Sequence, residues 1–219
     1  MKLKKHHKLV ISCDGGASSG KTTGAKIINR KYNLKFLSSG LLYRYASYQI
    51  LKNKPLNNYT FLKKIFNKFN LKKLNSVNLH KPEISEHTSI IAKNNKIRLI
   101  LKKVQIDFSK KYKKCIIEGR DISLKILPKS DIKFFFICNL DKAAKRRYKD
   151  LKKINSNLTL SEVRKSLKMR NLRDKKRKHS PLLKHRDALV IDTGKLNIMT
   201  MVSKMSLIID KEIKNKYGS

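Results

Sequence analysis

The 219-residue sequence predicts a three-layer α/β/α fold, with a five-stranded parallel sheet between two layers of helices. Three observations carry that prediction. Five apolar runs of about four to seven residues are spaced along the chain, longer stretches of helical period separate them, and polar or glycine-rich residues follow almost every run. Continuous apolarity over so few residues suits strands buried on both faces. Its alternation with helical stretches argues for a parallel sheet covered on both sides.

The elements follow in order. The run KLVISC (8–13) leads into DGGASSGKTT and a helix over 21–31. LKFL (34–37) leads into SSGLLYR and a helix over 40–52, after which the basic stretch 53–80 supports no assignment. Helical period returns over 84–111, before the third strand, KCIIE (114–118), and GRDIS. IKFFFIC (132–138) precedes NLDKAAKRRY and a helix over 141–153. TLSE, with Thr159 and Glu162 spaced as a capping box, opens a helix over 160–177. ALVID (188–192) is the fifth strand, and a helix over 197–216 closes the chain. In open α/β sheets the carboxyl ends of the strands are where ligands bind, and the polar segments gather there.

Composition narrows the function. The length and the 40% apolar content suit one folded domain spanning 1–219. The formal charge of +39 would ordinarily suggest a nucleic-acid binder, but 43 lysines against 11 arginines are spread over the whole length. That pattern reads as a general drift towards Lys, Asn and Ile. No specific nucleic-acid partner is expected, only weak non-specific attraction. Cys13, Cys115 and Cys138 lie far apart within apolar runs and are expected to be buried, reduced thiols. The apolar run near the N-terminus is too short for a signal peptide and no run could span a membrane, so a cytoplasmic protein is expected.

Gly15, Gly16, Ala17, Ser18, Ser19, Gly20, Lys21, Thr22 and Thr23 form a phosphate-binding loop between a strand and a helix. The glycines permit close backbone approach to a phosphate, and the helix adds its N-terminal partial charge. Lys21 can reach the β- and γ-phosphates, and Thr22 offers a hydroxyl to Mg²⁺. A plain glycine turn is the alternative. The fourth run ends in Cys138-Asn139, without the aspartate expected in most ATPases and GTPases.

The arginines are scarce enough to inform. A planar fork grips phosphate or a base edge in two places, where lysine is a point charge. Arg44, Arg98, Arg120, Arg146, Arg147, Arg170, Arg173 and Arg177 all lie near the strand ends or in one later helix. Arg170, Asp174 and Arg177 share one helical face, either as an ordinary ion pair or as a ligand-binding face. For Arg173, and for one of Arg146 and Arg147, a solvated helix face is the plainer reading.

With these residues in view the chain resembles the bacterial cytidylate kinases, nucleoside monophosphate kinases with a P-loop, from about Val10 to the last helix. DGGASSGKTT stands for the family's DGPxxxGKxT, SSGLLYR for DSGxxYR, and LHKPEI for IRxxEV. TSIIAKNNKIR, EGRDI, RRY, RNLRDKKR, SPL and ALVIDT follow in the family's order. Gly16 replaces a Pro, Ser38 and Asn171 each an Asp, and His80 an Arg.

The resemblance implies a monophosphate-binding insert over about 53–90 and a helical lid over about 142–177. It implies ATP at residues 15–23 with Mg²⁺ at Thr22, and Arg44 and Arg120 on the phosphate of CMP near Ser39 and Tyr43. Ser89, Arg98, Asp121 and Arg177 would read the cytosine edge. Arg170 and Asp174 would hold the ribose, and Arg146 and Arg147 would lie over the transferring phosphate. The expected reaction is transfer of the γ-phosphate of ATP to CMP or dCMP in pyrimidine nucleotide metabolism, by a monomer. Another P-loop kinase of small molecules, or a basic RNA- or ribosome-associated NTP-binding protein, is the alternative; neither needs a reader of cytosine.

Overall fold

The first apolar run becomes the middle of the sheet. A computed structural model, describing residues 3–4, 6–152 and 157–218, sets β1 (Leu9–Gly15) between β3 (Lys114–Gly119) and β4 (Ile132–Ile137). β2 (Lys35–Ser38) lies outside β3, and β5 (Leu189–Asp192) outside β4. Every pairing is parallel, with Asp14 opposite Gly119, Gly15 opposite Phe136 and Ser38 opposite Glu118. All five expected strands are present.

Alternation along β1 divides the core. Leu9, Ile11 and Cys13 pack on one face, against Ala25 and Ile28 of α1 (Lys21–Lys31) and Met201, Met205 and Ile209 of α8 (Ile198–Tyr217). Val10 faces the other side, with Leu42 and Ala46 of α2 (Ser39–Asn53) and Leu101 and Phe108 of α5 (Asn95–Lys111). α1, α5 and α8 each bury one stripe at the spacing of helical neighbours, whereas α2 is buried on every side from Leu42 to Ser47. Burying a single leucine or isoleucine in such a stripe contributes roughly 1.5–3 kcal/mol.

The helical stretch expected over 84–111 is two helices, α4 (Pro82–Ile91) and α5. Asn94 separates them: its backbone is extended, and its side chain accepts the N–H of Ile97, starting a new helix. The unassigned stretch 53–80 holds α3 (Asn58–Phe66) and a 3₁₀ turn over Leu71–Asn75, capped by the side chains of Asn57 and Asn70. α6 (Leu140–Lys152) and α7 (Leu160–Lys176) pair through Ala143, Ala144, Val163 and Leu167, with Ala17 of the glycine-rich loop in the same cluster. The expected capping box at Thr159 and Glu162 is formed in both directions. The expected helix over 141–153 has its last position, and the stretch 142–177 its residues 153–156, outside the described residues.

All three thiols are free. Cys13 and Cys115 are buried, and burial pushes the Cys115 thiol up to about 12. Cys138 is only half-buried, against expectation, because the chain leaves the sheet there for α6. No described helix is long and apolar enough to cross a membrane.

Candidate active site

The glycine-rich loop lies flush against the sheet. A Cβ on Gly15 would come within 2.5 Å of the Phe136 carbonyl oxygen, and Gly20, at φ 80°, turns the chain into α1. The loop thus sits lower than any side chain at Gly15 would allow. Lys21 folds back to donate to the carbonyl of Gly16 at 3.0 Å and lies 3.7 Å from Glu118. Burial, and next the nearby Arg120 charge, lower its pKa to about 7. The Ser19 hydroxyl is buried with no hydrogen-bond partner. A cation costly to hold and an unsatisfied donor beneath a loop of backbone amides suit a bound anion.

Around the same cavity, of about 640 Å³, lies a group of arginines with too few counter-charges. Arg44 is lowered to about 9, by burial and then by Arg170, Arg147 and Arg120. Arg170 is lowered to about 10, by burial and then by Arg120. Arg44 spends one donor on the carbonyl of Leu79 at 3.0 Å and meets His80 Nδ1 at 3.5 Å. Such mutual repulsion is relieved when a multiply charged anion enters.

Deeper in, the charges alternate. Arg98 donates to the carboxylate of Asp121 at 2.5 Å and stacks over Tyr43 at 5.5 Å. Arg177 lies 3.8 Å from Asp121 and 3.6 Å from Asp174, and Arg120 donates to Asp174 at 2.9 Å. Burial alone would raise the Asp174 carboxyl, but Arg120, Arg170 and Arg177 outweigh it and hold it below the usual range. One nitrogen of Arg177 is buried without a hydrogen-bond partner. This wall presents fixed donors and acceptors side by side.

Of the residues expected at the ATP and CMP sites, all line this cavity except Gly15 and Gly16; Arg173 and Asn171 also lie off it. Gly15 belongs to β1, and Gly16 is backed by the side chain of Asn171, 3.3 Å from where a Cβ would stand. Arg146 lines it but is tied to Thr193, donating to the hydroxyl at 2.9 Å and the carbonyl at 2.7 Å. Arg173 is not a solvated bystander: it donates to Ser89 Oγ at 2.7 Å and to the Glu86 carboxylate.

Three further residues, Glu118, Thr193 and Asp14, have no reading of their own in the sequence, and Asn171, noted there only as standing in place of an Asp, joins them. Glu118, ending an apolar strand, accepts from the Ser38 hydroxyl at 2.5 Å. Asn171 accepts the backbone N–H of Ala17 at 3.1 Å, joining α7 to the loop. Thr193 donates to the carbonyl of Ser19 at 2.9 Å. Asp14 accepts from the backbone of Ile122 and Ser123 at 2.7 and 2.8 Å, and from the Ser123 hydroxyl at 2.6 Å. It thereby fixes the π-helical turn Ile122–Ile126 that follows Arg120-Asp121. An acidic residue at the end of a buried strand was the available signal for Glu118 and Asp14.

Burial pushes Asp14 up to about 6 in spite of those bonds. The native state therefore holds a proton that the unfolded chain has lost between about pH 4 and pH 6, and this contribution to stability falls as pH rises through that window. In urea unfolding followed against pH, the stability of the wild type relative to Asp14→Asn should fall by about 2–3 kcal/mol between pH 4 and pH 7. A difference that does not change with pH would show that Asp14 keeps an ordinary carboxyl pKa.

A family model described as Cytidylate kinase matches residues 11–211. A protein of that name from Bartonella tribocorum is 36% identical over 211 residues, covering 94% of this chain and 96% of its own. Another from Clostridium botulinum is 34% identical over 215 residues, covering 92% and 98%. Among solved structures, an uncharacterized protein from Eubacterium ventriosum superposes with a TM-score of 0.55 at 16% identity, over 93% of this chain and 99% of its own. Shikimate kinase from Bacteroides thetaiotaomicron gives 0.51 at 12% identity, over 92% and 98%. These structural likenesses show the fold alone.

Proposed function

The chain belongs to the cytidylate kinase family, and on that premise we propose that it transfers the γ-phosphate of ATP to CMP and dCMP, with the cavity divided between the two substrates. The carrying observation is the group of Arg44, Arg120, Arg147 and Arg170 facing the phosphate-binding loop across one cavity. Residues 15–23 hold the ATP phosphates. Arg44 and Arg120, near Ser39 and Tyr43, hold the phosphate of CMP. Arg170 and Asp174 hold the ribose.

Cytosine offers an amino donor beside two acceptors. Asp121 and Ser89 supply acceptors for the amino group, while Arg98 and the Arg177 nitrogen that has no hydrogen bond supply donors for the rest of that edge. A uracil would present a carbonyl where the amino group stands, opposite acceptors.

In the reaction an oxygen of the CMP phosphate attacks the γ-phosphorus in line, and the bond to the ADP oxygen breaks. The attacking phosphate is already largely ionised near neutral pH, so positioning and charge neutralisation carry the catalysis. Lys21 follows the γ-phosphate as charge moves to the leaving oxygen. Arg120 and Arg147 hold the two anions together against their repulsion. The stretch 53–90 acts as the monophosphate insert and 142–177 as the lid, with Arg147, and Arg146 once it leaves Thr193, closing over the phosphates to exclude water.

The oxygen chemistry here fits Mg²⁺: the Thr22 hydroxyl lies at the first turn of α1, and Glu118 and Ser38 line the same cavity. Thr22 would hold the ion with the ATP phosphates, and the ion would neutralise charge between the β- and γ-groups. The protein acts as a cytoplasmic monomer in pyrimidine nucleotide metabolism.

A coupled assay of ADP release, with ATP and each of CMP, dCMP, UMP, AMP and GMP, tests the reading. CMP and dCMP should be turned over at least about tenfold more efficiently than the others, the margin expected when buried polar groups lose their partners. Equal turnover of all five, or of none, would sink it.

A further inference from the structure

Ser89 has fewer ways to bond a ligand than its hydroxyl suggests. A serine hydroxyl carries one hydrogen and two lone pairs. The hydrogen is donated to the Glu86 carbonyl at 2.9 Å, one turn back along α4. One lone pair receives Arg173 Nη1 at 2.7 Å. The same nitrogen donates its other hydrogen to the Glu86 carboxylate, so Arg173 is held from two sides. What remains to Ser89, which is buried on the cavity wall, is a single lone pair.

We propose that Arg173 is a positioning residue that locks Ser89 as a hydrogen-bond acceptor, and thereby sets the preference for a base with an amino group over one with a carbonyl at that position. The inference rests on the assignment of Ser89 to the base edge. Arg173 reaches across from α7 to α4, so selectivity depends on two helices far apart in sequence being correctly docked. Without the guanidinium the hydroxyl gains a second lone pair and freedom to turn. It can then leave Glu86 and donate to the O4 carbonyl of UMP.

The test is steady-state kcat/KM for CMP and for UMP in the wild type and in Arg173→Met, Arg173→Lys and Ser89→Ala. Arg173 is partly exposed, so the fold should tolerate replacement, with thermal unfolding as the check. Arg173→Met should lower the CMP-to-UMP ratio roughly tenfold, the effect of one charge-assisted hydrogen bond, chiefly through KM and with KM for ATP unchanged. Arg173→Lys, which keeps a charged donor, should hold the ratio within about threefold of the wild type. Equal losses for both nucleotides in Arg173→Met would overturn the proposal and leave Arg173 a structural tie. If Ser89→Ala itself leaves the ratio unchanged, the assignment of Ser89 to the base is what fails. If Ser89→Ala collapses the ratio and Arg173→Met does not, only the positioning role fails.

Discussion

Lys21→Met should lower kcat by about 10²–10³-fold, the range for removing one preorganised donor from developing charge, while the free protein unfolds at the same or a higher temperature. The two effects part because burial, above all, holds the Lys21 pKa near 7, and Glu118 only partly offsets it. A methionine of similar length removes the desolvated cation and keeps the packing. The pH dependence gives a second reading. Between about pH 7 and the ordinary lysine value the unfolded chain binds a proton that the native state lacks, so stability should rise with pH across that window. That rise should be absent in Lys21→Met. Measurements are the coupled assay and thermal unfolding from pH 6.5 to 10. A marked fall in unfolding temperature at neutral pH would mean that the pair with Glu118 outweighs burial.

Arg177→Ala should lower kcat/KM for CMP by about 100-fold, the scale of a lost charge-assisted hydrogen bond, while KM for ATP stays within about threefold. Arg177 makes its ion pairs with Asp121 and Asp174 and not with the loop, and its buried Nη2, 3.8 Å from Asp121, has no hydrogen bond. Both carboxylates keep a partner when it is removed, Asp121 in Arg98 and Asp174 in Arg120. The wall should therefore stand while its donor to the base is gone. Arg177→Lys should recover little, since a point charge does not reproduce the fork. Loss of ATP affinity with CMP affinity kept would reverse the division of the cavity.

The sheet was legible because its strands are buried on both faces and so read as unbroken apolar runs between helical stretches. The loop and the arginines were legible for a related reason. Glycine and arginine are scarce in this chain, and their placement at strand ends stands out against a background of lysine. Asn94, lying inside continuous helical period, was harder. Its extended backbone and its side chain on the N–H of Ile97 reveal that one helix is two. Asn57 and Leu62 of α3 carried a readable cap and apolar face that the surrounding lysines obscured. Glu118, Asp14, Asn171 and Arg173 act through partners 80 to 154 residues away. No local spacing encodes such pairs, because they exist only once the strand order is set.

The Ala17 N–H that Asn171 accepts belongs to the loop that would receive a phosphate. A backbone amide has a single hydrogen. If a phosphate oxygen takes the one on Ala17, Asn171 must release it, and α7 loses a tether to the loop at the moment the nucleotide arrives. An aspartate at position 171 would grip that amide more strongly and would also repel the newcomer. The uncharged side chain makes this handover cheap, like a bookmark that slides out when the page is needed.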